Sequence, residues 1–235
     1  MTVLSVDTSA AVSVSLVSED GTELATRTVR EQRRHAELLT PLISELFDET
    51  GTSSSAITTV VAGTGPAPFT GLRVGLVTAR TFAFGVGTEA LGVCSLDALA
   101  AQAAQLHNLS AGTRVLAVSD ARRREVYYAL YEIGAQTNWG APEVTVIAGP
   151  EVSSASDLAD TGLATNAIVV GEGAQLYAEA FVGADVRTEP AVPSTTVLAQ
   201  LALARAHAGT DQPTTPLYLR RPDAQVPGAR KRALG

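Results

Sequence analysis

This chain begins twice. Val3-Leu4-Ser5-Val6-Asp7 reads as an apolar strand ending on an acidic turn, and Val12, Val14 and Leu16 then alternate with Ser13 and Ser15. Val115-Leu116-Ala117-Val118-Ser119-Asp120 repeats the strand and its acidic end, and Val126, Tyr128 and Leu130 repeat the alternation. Period-2 alternation marks a half-buried strand, so each half starts with two strands joined at a carboxylate. The repeat predicts two α/β lobes from an internal duplication, residues 1–110 and 111–222, with a boundary near 108–112. Residues 223–235 show no periodicity and are expected to form a mobile tail.

In the first half, Ser18-Glu19-Asp20-Gly21 predicts a turn and residues 24–29 a third strand. Leu38, Leu39, Leu42, Ile43, Leu46 and Phe47 fall on one face of a helix. Pro41 sits inside that pattern, so it either kinks the helix or starts it after Thr40. Residues 57–62 make a compact apolar strand that feeds a loop stiffened by Gly and Pro, Gly63-Thr64-Gly65-Pro66-Ala67-Pro68-Phe69-Thr70-Gly71-Leu72-Arg73. The helix after it carries Gly71, Gly75, Ala79 and Ala83 four residues apart, a stripe without side-chain bulk. Glycine costs about 1 kcal/mol relative to alanine in a helix interior. Close packing must therefore offset it, on the chain's own sheet or on a partner. Residues 90–94 form the next strand, and Ser95 is expected to cap the following helix. The second half continues with strands at 144–147 and 167–170, a short helix at 154–159, a Gly171-Glu172-Gly173-Ala174 turn and a helix over 195–208.

At 46% hydrophobic and 17% charged, the 235 residues describe a globular chain able to bury a core. Its one cysteine, Cys94, permits no internal disulfide and reads as core packing. The N-terminus enters a strand without a basic and apolar leader, and no apolar run nears the ~18 residues of a membrane span. A cytoplasmic protein is expected. The net charge of −7 argues against a free-standing nucleic-acid binder. The basic residues are nonetheless clustered, at Arg30, Arg33 and Arg34, at Arg122, Arg123 and Arg124, and at Arg220, Arg221, Arg230, Lys231 and Arg232. Each cluster taken separately reads as a solvated face.

Candidate chemistry is sparse. A two-lobed ATPase needs a phosphate-binding hairpin in each lobe, with small residues that let backbone amides reach the nucleotide. Asp7 and Thr8 supply half of the first, able to hold a metal-bound water and a phosphate. After Asp120 the expected glycines are replaced by Ala121-Arg122-Arg123-Arg124-Glu125, whose guanidinium groups crowd the approach and cannot reproduce an amide cradle. The loop at 63–71 lacks the Gly-Lys-Ser/Thr ending of a P-loop. His35, His107 and His207 have no ligand spacing, so no metal site and no cofactor are expected. No serine sits in a Gly-x-Ser-x-Gly elbow, so no catalytic residue is assigned.

Six segments in order are similar to the TsaB (YeaZ) family. They are Val6-Asp7-Thr8-Ser9, Arg34-His35-Ala36-Glu37-Leu38-Leu39, Gly65 through Arg73, Asp120-Ala121-Arg122-Arg123-Arg124-Glu125-Val126-Tyr127, Gly171-Glu172-Gly173-Ala174 and Pro216-Leu217-Tyr218-Leu219-Arg220. The family usually carries Gly where this chain has Ala67, a change expected to alter the loop's backbone angles because Ala accepts positive φ reluctantly. The resemblance implies an actin/Hsp70/sugar-kinase-like (ASKHA, RNase H-like) fold without catalysis of its own. The implied function is a scaffold and activator in tRNA threonylcarbamoyladenosine (t6A) modification. Its implied partner is the paralogue TsaD, which transfers threonylcarbamoyl from its AMP ester to N6 of an adenosine, with the ATPase TsaE at their junction. The implied docking surface, used for a homodimer when the chain is alone, comprises His35, Leu38, Leu39, Leu42, Leu46, Phe69, Leu72, Arg73, Leu76 and Phe82. A vestigial nucleotide site would hold Asp7, Thr8, Asp120, Gly171 and Gly173. tRNA contact is indirect or auxiliary, through Arg33, Arg34 and Arg122–Arg124. The rival is an ATP-dependent small-molecule kinase of the same superfold.

Overall fold

The computed structural model describes residues 2–30 and 34–220; Arg33, the side chain of His35 and the expected tail at 223–235 lie outside the described residues. The first half runs β1 (Thr2–Asp7), β2 (Val12–Ser18), β3 (Glu23–Val29), α1 (His35–Thr50), β4 (Ile57–Gly63), α2 (Phe69–Val86), β5 (Ala90–Val93) and α3 (Ser95–Leu106). The second runs β6 (Arg114–Arg122), β7 (Glu125–Gln136), β8 (Pro142–Ser154), α4 (Ala155–Asp160), β9 (Ile168–Val170), α5 (Glu172–Leu176), β10 (Asp185–Val186) and α6 (Thr195–His207). The first sheet is ordered β3-β2-β1-β4-β5 and the second β8-β7-β6-β9-β10, the same order when each half is counted from its own first strand. In both, the first three strands are antiparallel and the last two run parallel to the first. The echo read in the sequence is thus a repeat of topology: Leu4 pairs Leu16 and Val6 pairs Val14, as Leu116 pairs Leu130 and Val118 pairs Tyr128.

Each sheet is covered on both faces, which is why β1 is buried on both sides instead of alternating. Leu4, Val6, Val12 and Val14 pack under α1 and α2 through Leu39, Leu46, Leu72 and Leu76. Val3, Val17, Val61 and Val93, on the opposite face, meet α3 and α6 through Ala98, Ala101, Leu198 and Leu201. α3 turns its other side to the second sheet, where Leu96, Leu99, Ala100 and Ala103 meet Val115, Ala117 and Tyr131. A helix buried nearly all round must be apolar nearly all round, and small, as its alanines make it. α3 is thus wedged between the sheets, with α6, from the second half of the chain, beside it on the first. The last cluster, Leu116, Val118 and Val169 with Leu158 and Phe181, closes the outer face of the second sheet.

One local alternative is decided and one expectation is corrected. α1 begins at His35, so Pro41 lies within the helix on its exposed side and does not start it. Ser95 is the first helical residue, with Cys94 in the cap position; its hydroxyl donates to Asp7 and does not cap the helix. The rest follows local chemistry. Gly51 ends α1 in the left-handed conformation with its N–H on the carbonyl of Phe47, and Ser154 caps α4 by accepting from Asp157 N at 3.0 Å.

A polar tie crosses the interlobe core. Tyr131 on β7 donates its hydroxyl to Asp97 Oδ1 at 2.8 Å, and Arg205 on α6 donates to Asp97 Oδ2 at 2.7 Å. Burial first, and then the neighbouring Cys94 and Asp97, hold the Tyr131 hydroxyl well above its ordinary value of 10. The unfolded chain ionises this phenol near pH 10 while the folded chain does not, so above pH 10 the unfolded state binds fewer protons and stability falls. The expected slope for this one residue is about 1.4 kcal/mol per pH unit. Urea unfolding from pH 8 to 11.5 should show that decline, and Tyr131→Phe should flatten it.

Candidate functional site: the interlobe cleft and the outer face of α2

A cleft of about 350 Å³ opens between the lobes, lined by Thr8, Ser9, Ala36, Phe69, Gly71, Asp120, Arg122 and Glu172 among others. The two acidic turns of the repeat meet there. Asp7 is 1% exposed and turned inward. Its Oδ1 accepts from Ser9 N at 2.9 Å and Ser9 Oγ at 2.6 Å, and its Oδ2 accepts from Ser95 Oγ at 2.6 Å. Thr8 donates its hydroxyl to the carbonyl of Gly71 at 2.8 Å. These side chains therefore tie β1 to α3 and α2.

The glycines make that packing possible. A Cβ at Gly63 would stand 1.8 Å from Asp7 Oδ2, and one at Gly75 would stand 2.4 Å from Thr8 Oγ1. Gly71, Gly75, Ala79 and Ala83 are all buried, so the small-residue stripe of α2 is spent on the chain's own sheet. In the preceding loop the positive φ falls on Gly65, at 86°, and not on Ala67, so the expected disturbance at Ala67 does not arise.

On the second lobe, Asp120 accepts from the backbone N–H of Arg122 at 2.9 Å and pairs with the Arg122 guanidinium at 3.0 Å. The β6–β7 connection is a two-residue turn, with Arg122 paired to Glu125 and a bulge between Asp120 and Arg122. Arg122, Arg123 and Arg124 have φ of 65°, 56° and 63°. Positive φ at both central residues is the type I′ pattern, which favours Asn-Gly; left-handed backbone costs a non-glycine residue about 1–2 kcal/mol. Arg220 braces the hairpin from the C-terminal segment, donating to the carbonyl of Ala121 at 3.0 Å and pairing with Glu125. Gly171 and Gly173 let the start of α5 approach Val118 and Ser119: a Cβ on Gly171 would lie 2.1 Å from the carbonyl oxygen of Val118. Among the described residues no group of three or more His, Cys, Asp and Glu is placed to hold a metal ion, and no helix is long and apolar enough to cross a membrane. Cys94 is half-buried, and desolvation pushes its thiol far above the ordinary range.

The docking residues read from the sequence divide into two sets. Leu39, Leu42, Leu46, Leu72 and Leu76 are core residues under the first sheet, which corrects their assignment to a surface. Leu38 and Phe82 are half-buried against the same core, Phe82 with its ring 5.9 Å from that of Phe47. Phe69 and Arg73 face outward. The Arg73 guanidinium lies 3.6 Å from the centre of the Phe69 ring and its Nε donates to Tyr218 Oη at 2.9 Å. Below them on the same face stand Val77, 59% exposed, and Phe84, 87% exposed. Sequence reading passed over Val77 and Phe84; their spacing from Phe69 and Arg73 along the helix is the signal that links them. Of the arginines, Arg34 pairs with Glu37 at 2.7 Å in front of α1, and Arg122, Arg123 and Arg124 are exposed.

Two five-stranded lobes of one topology, joined across a cleft at two acidic turns, define a protein of the actin-like, sugar-kinase-like (ASKHA) fold. A family model described as TsaD, tRNA N6-adenosine threonylcarbamoyltransferase, matches residues 29–226. The solved structure of YeaZ from Pseudomonas aeruginosa superposes with a TM-score of 0.76 at 29% identity, over 93% of this chain and 99% of that one. An uncharacterized protein of Mycobacterium tuberculosis is 38% identical over 226 residues, 95% of this chain and 94% of the relative. The Escherichia coli tRNA threonylcarbamoyladenosine biosynthesis protein TsaB is 33% identical over 152 residues, 65% of this chain and 64% of that protein. The chain belongs to the TsaD-type threonylcarbamoyltransferase family, in its TsaB/YeaZ branch.

Proposed function

We propose that this chain serves tRNA threonylcarbamoyladenosine biosynthesis in the cytoplasm as a non-catalytic subunit. It binds and supports a TsaD-type paralogue that carries out the transfer to N6 of adenosine, with a TsaE-type ATPase at their junction. The observation that carries the reading is the outer face of α2. Phe69, Arg73, Val77 and Phe84 line one side of a helix whose other side is already packed; Tyr218 braces Phe69 and Arg73, and Val77 and Phe84 stand 59% and 87% exposed among the described residues. Aromatic and arginine anchors of this kind dominate the energetics of protein interfaces. Arg73 is held in place by Phe69 and Tyr218, so little side-chain entropy remains to be lost on binding. The same face joins two copies when the partner is absent, with residues 1–110 as the docking lobe and 111–222 as the second.

The non-catalytic part of the reading is supported by the cleft. The Asp7 carboxylate is occupied by three donors from Ser9 and Ser95, and Arg122 stands against Asp120 where the second lobe would offer backbone amides to a phosphate. Light scattering tests the proposal. The chain alone should have the mass of a homodimer and should exchange into a heterodimer on mixing with the TsaD-type protein of its own organism. Calorimetry of the chain alone should show no heat of ATP binding. Tight ATP binding by the lone chain without a heterodimer would overturn the proposal in favour of a small-molecule kinase.

A further inference from the structure

In each lobe the first three strands form an antiparallel meander, so the first turn lies at the cleft and the second at the opposite end of the sheet. The two far turns, residues 19–22 of one lobe and 137–141 of the other, meet. A Cβ on Gly21, where φ is 87°, would stand 2.0 Å from the carbonyl oxygen of Trp139. The Trp139 indole N–H donates to the carbonyl of Glu19 at 3.1 Å. An amide relay runs beside this contact. Gln105 on α3 donates to the carbonyl of Gly140 at 2.7 Å and to Gln200 Oε1 at 2.9 Å, and Gln200 on α6 donates to the carbonyl of Gly21 at 2.8 Å. Ala141, fully buried, packs in the same cluster as Val17 and Leu198 of the other turn's surroundings.

We propose that this contact is a latch that fixes the opening of the interlobe cleft, so that the two lobes move as one body. α3, packed on both sheets, is the axis about which the lobes would turn. Rotation that widened the cleft would drive the far turns into one another, and at Gly21 there is no room between them even for a Cβ. Rotation that narrowed it would draw them apart, breaking the indole bond, the Gln105–Gly140 bond and the Ala141 packing together. Hinge closure is a common way for two-domain proteins to enclose a ligand, and the far end of this molecule opposes it. The latch is separate from the surfaces described above: none of its residues lines the cleft or lies on α2. Trp139 is the chain's only tryptophan, and its large ring, 5.1 Å from that of His207, is spent on this junction.

Spin labels across the cleft test the latch in the full chain. One label goes on Thr40→Cys, a helical turn along α1 from the cleft residue Ala36, and the other on Arg124→Cys in the second lobe, both exposed positions, in a Cys94→Ala background. Electron–electron double resonance on this parent should give one narrow distance distribution. Adding Trp139→Ala should broaden it by more than about 2 Å, the scale that separates rigid from rearranging proteins, with the new population at shorter distances. Gln105→Ala, which removes the amide bond to Gly140 and leaves the indole in place, should broaden it in the same direction but less. Circular dichroism reports whether each variant is folded; if Trp139→Ala does not fold, Gln105→Ala decides. A broad or two-peaked distribution in the parent, or folded variants whose distributions match it, would overturn the proposal.

Discussion

Phe84→Asp and Val77→Asp are each expected to abolish assembly with the TsaD-type partner while leaving the fold intact. The two side chains are 87% and 59% exposed, so a carboxylate at either position meets water in the free chain and costs little. At an interface the same change removes an apolar anchor and buries an unpaired charge. Losses of about 3–4 kcal/mol, or roughly 100-fold to 1,000-fold in affinity, are ordinary for such positions. Leu76→Asp is the control. Leu76 neighbours Val77 in sequence but is 3% exposed in the core under α2. That variant should fail to fold instead of failing to bind. Light scattering and thermal melts on the three proteins separate the outcomes, and full-strength assembly by Phe84→Asp and Val77→Asp would remove the outer face of α2 as the docking surface.

Gly171→Ala is expected to be among the most damaging alanine substitutions at a glycine, with Gly21→Ala, whose Cβ would sit 2.0 Å from the Trp139 carbonyl oxygen at a φ of 87°. At Gly171 φ is 108°, and a Cβ there would sit 2.1 Å from the Val118 carbonyl oxygen on β6. Backbone strain and overlap with backbone add, and a loss of about 4 kcal/mol or more is expected, a large fraction of a typical domain's stability. Gly63→Ala should come close to it, since its Cβ would overlap Asp7 Oδ2 at 1.8 Å and push that carboxylate off Ser95. Gly112→Ala separates strain from overlap: φ is 85° but nothing lies within 4 Å of the Cβ, so only about 1–2 kcal/mol is at stake. Gly85→Ala, near the end of α2 with open space around it, should stabilise by up to about 1 kcal/mol. Urea denaturation of the four variants gives the ranking. A mild Gly171→Ala would show that α5 and β6 separate easily, against the close approach seen here.

Much of this architecture is legible in the residues. The two openings at Val3 and Val115 carry a period of two and end on acidic turns. They become the paired central strands of two sheets with one topology. Local chemistry also places the Gly21 turn, the Gly51 stop of α1 and the Ser154 cap. The site was less legible. Asp7 and Thr8 were recognised as cleft residues, but their partners, Ser95 and Gly71, lie 88 and 63 positions away. Ser95 was read as a cap because short-range pattern assigns a hydroxyl before a helix to the backbone, whereas a carboxylate brought in by folding competes for it more strongly.

The sequence by itself therefore determined the duplication and the strands and helices, because side-chain period and turn chemistry are local properties that survive any tertiary arrangement; the ASKHA class came from the family resemblance. Only the tertiary structure decided which side of α2 faces outward. That helix is apolar on most of its circumference, so periodicity ranks Leu72, Leu76, Val77 and Phe84 alike. What separates them is which flank is covered by the sheet. Gly75 and the Gly71 carbonyl bring one flank against Thr8 at the end of β1, and Val77 and Phe84 on the opposite flank remain exposed.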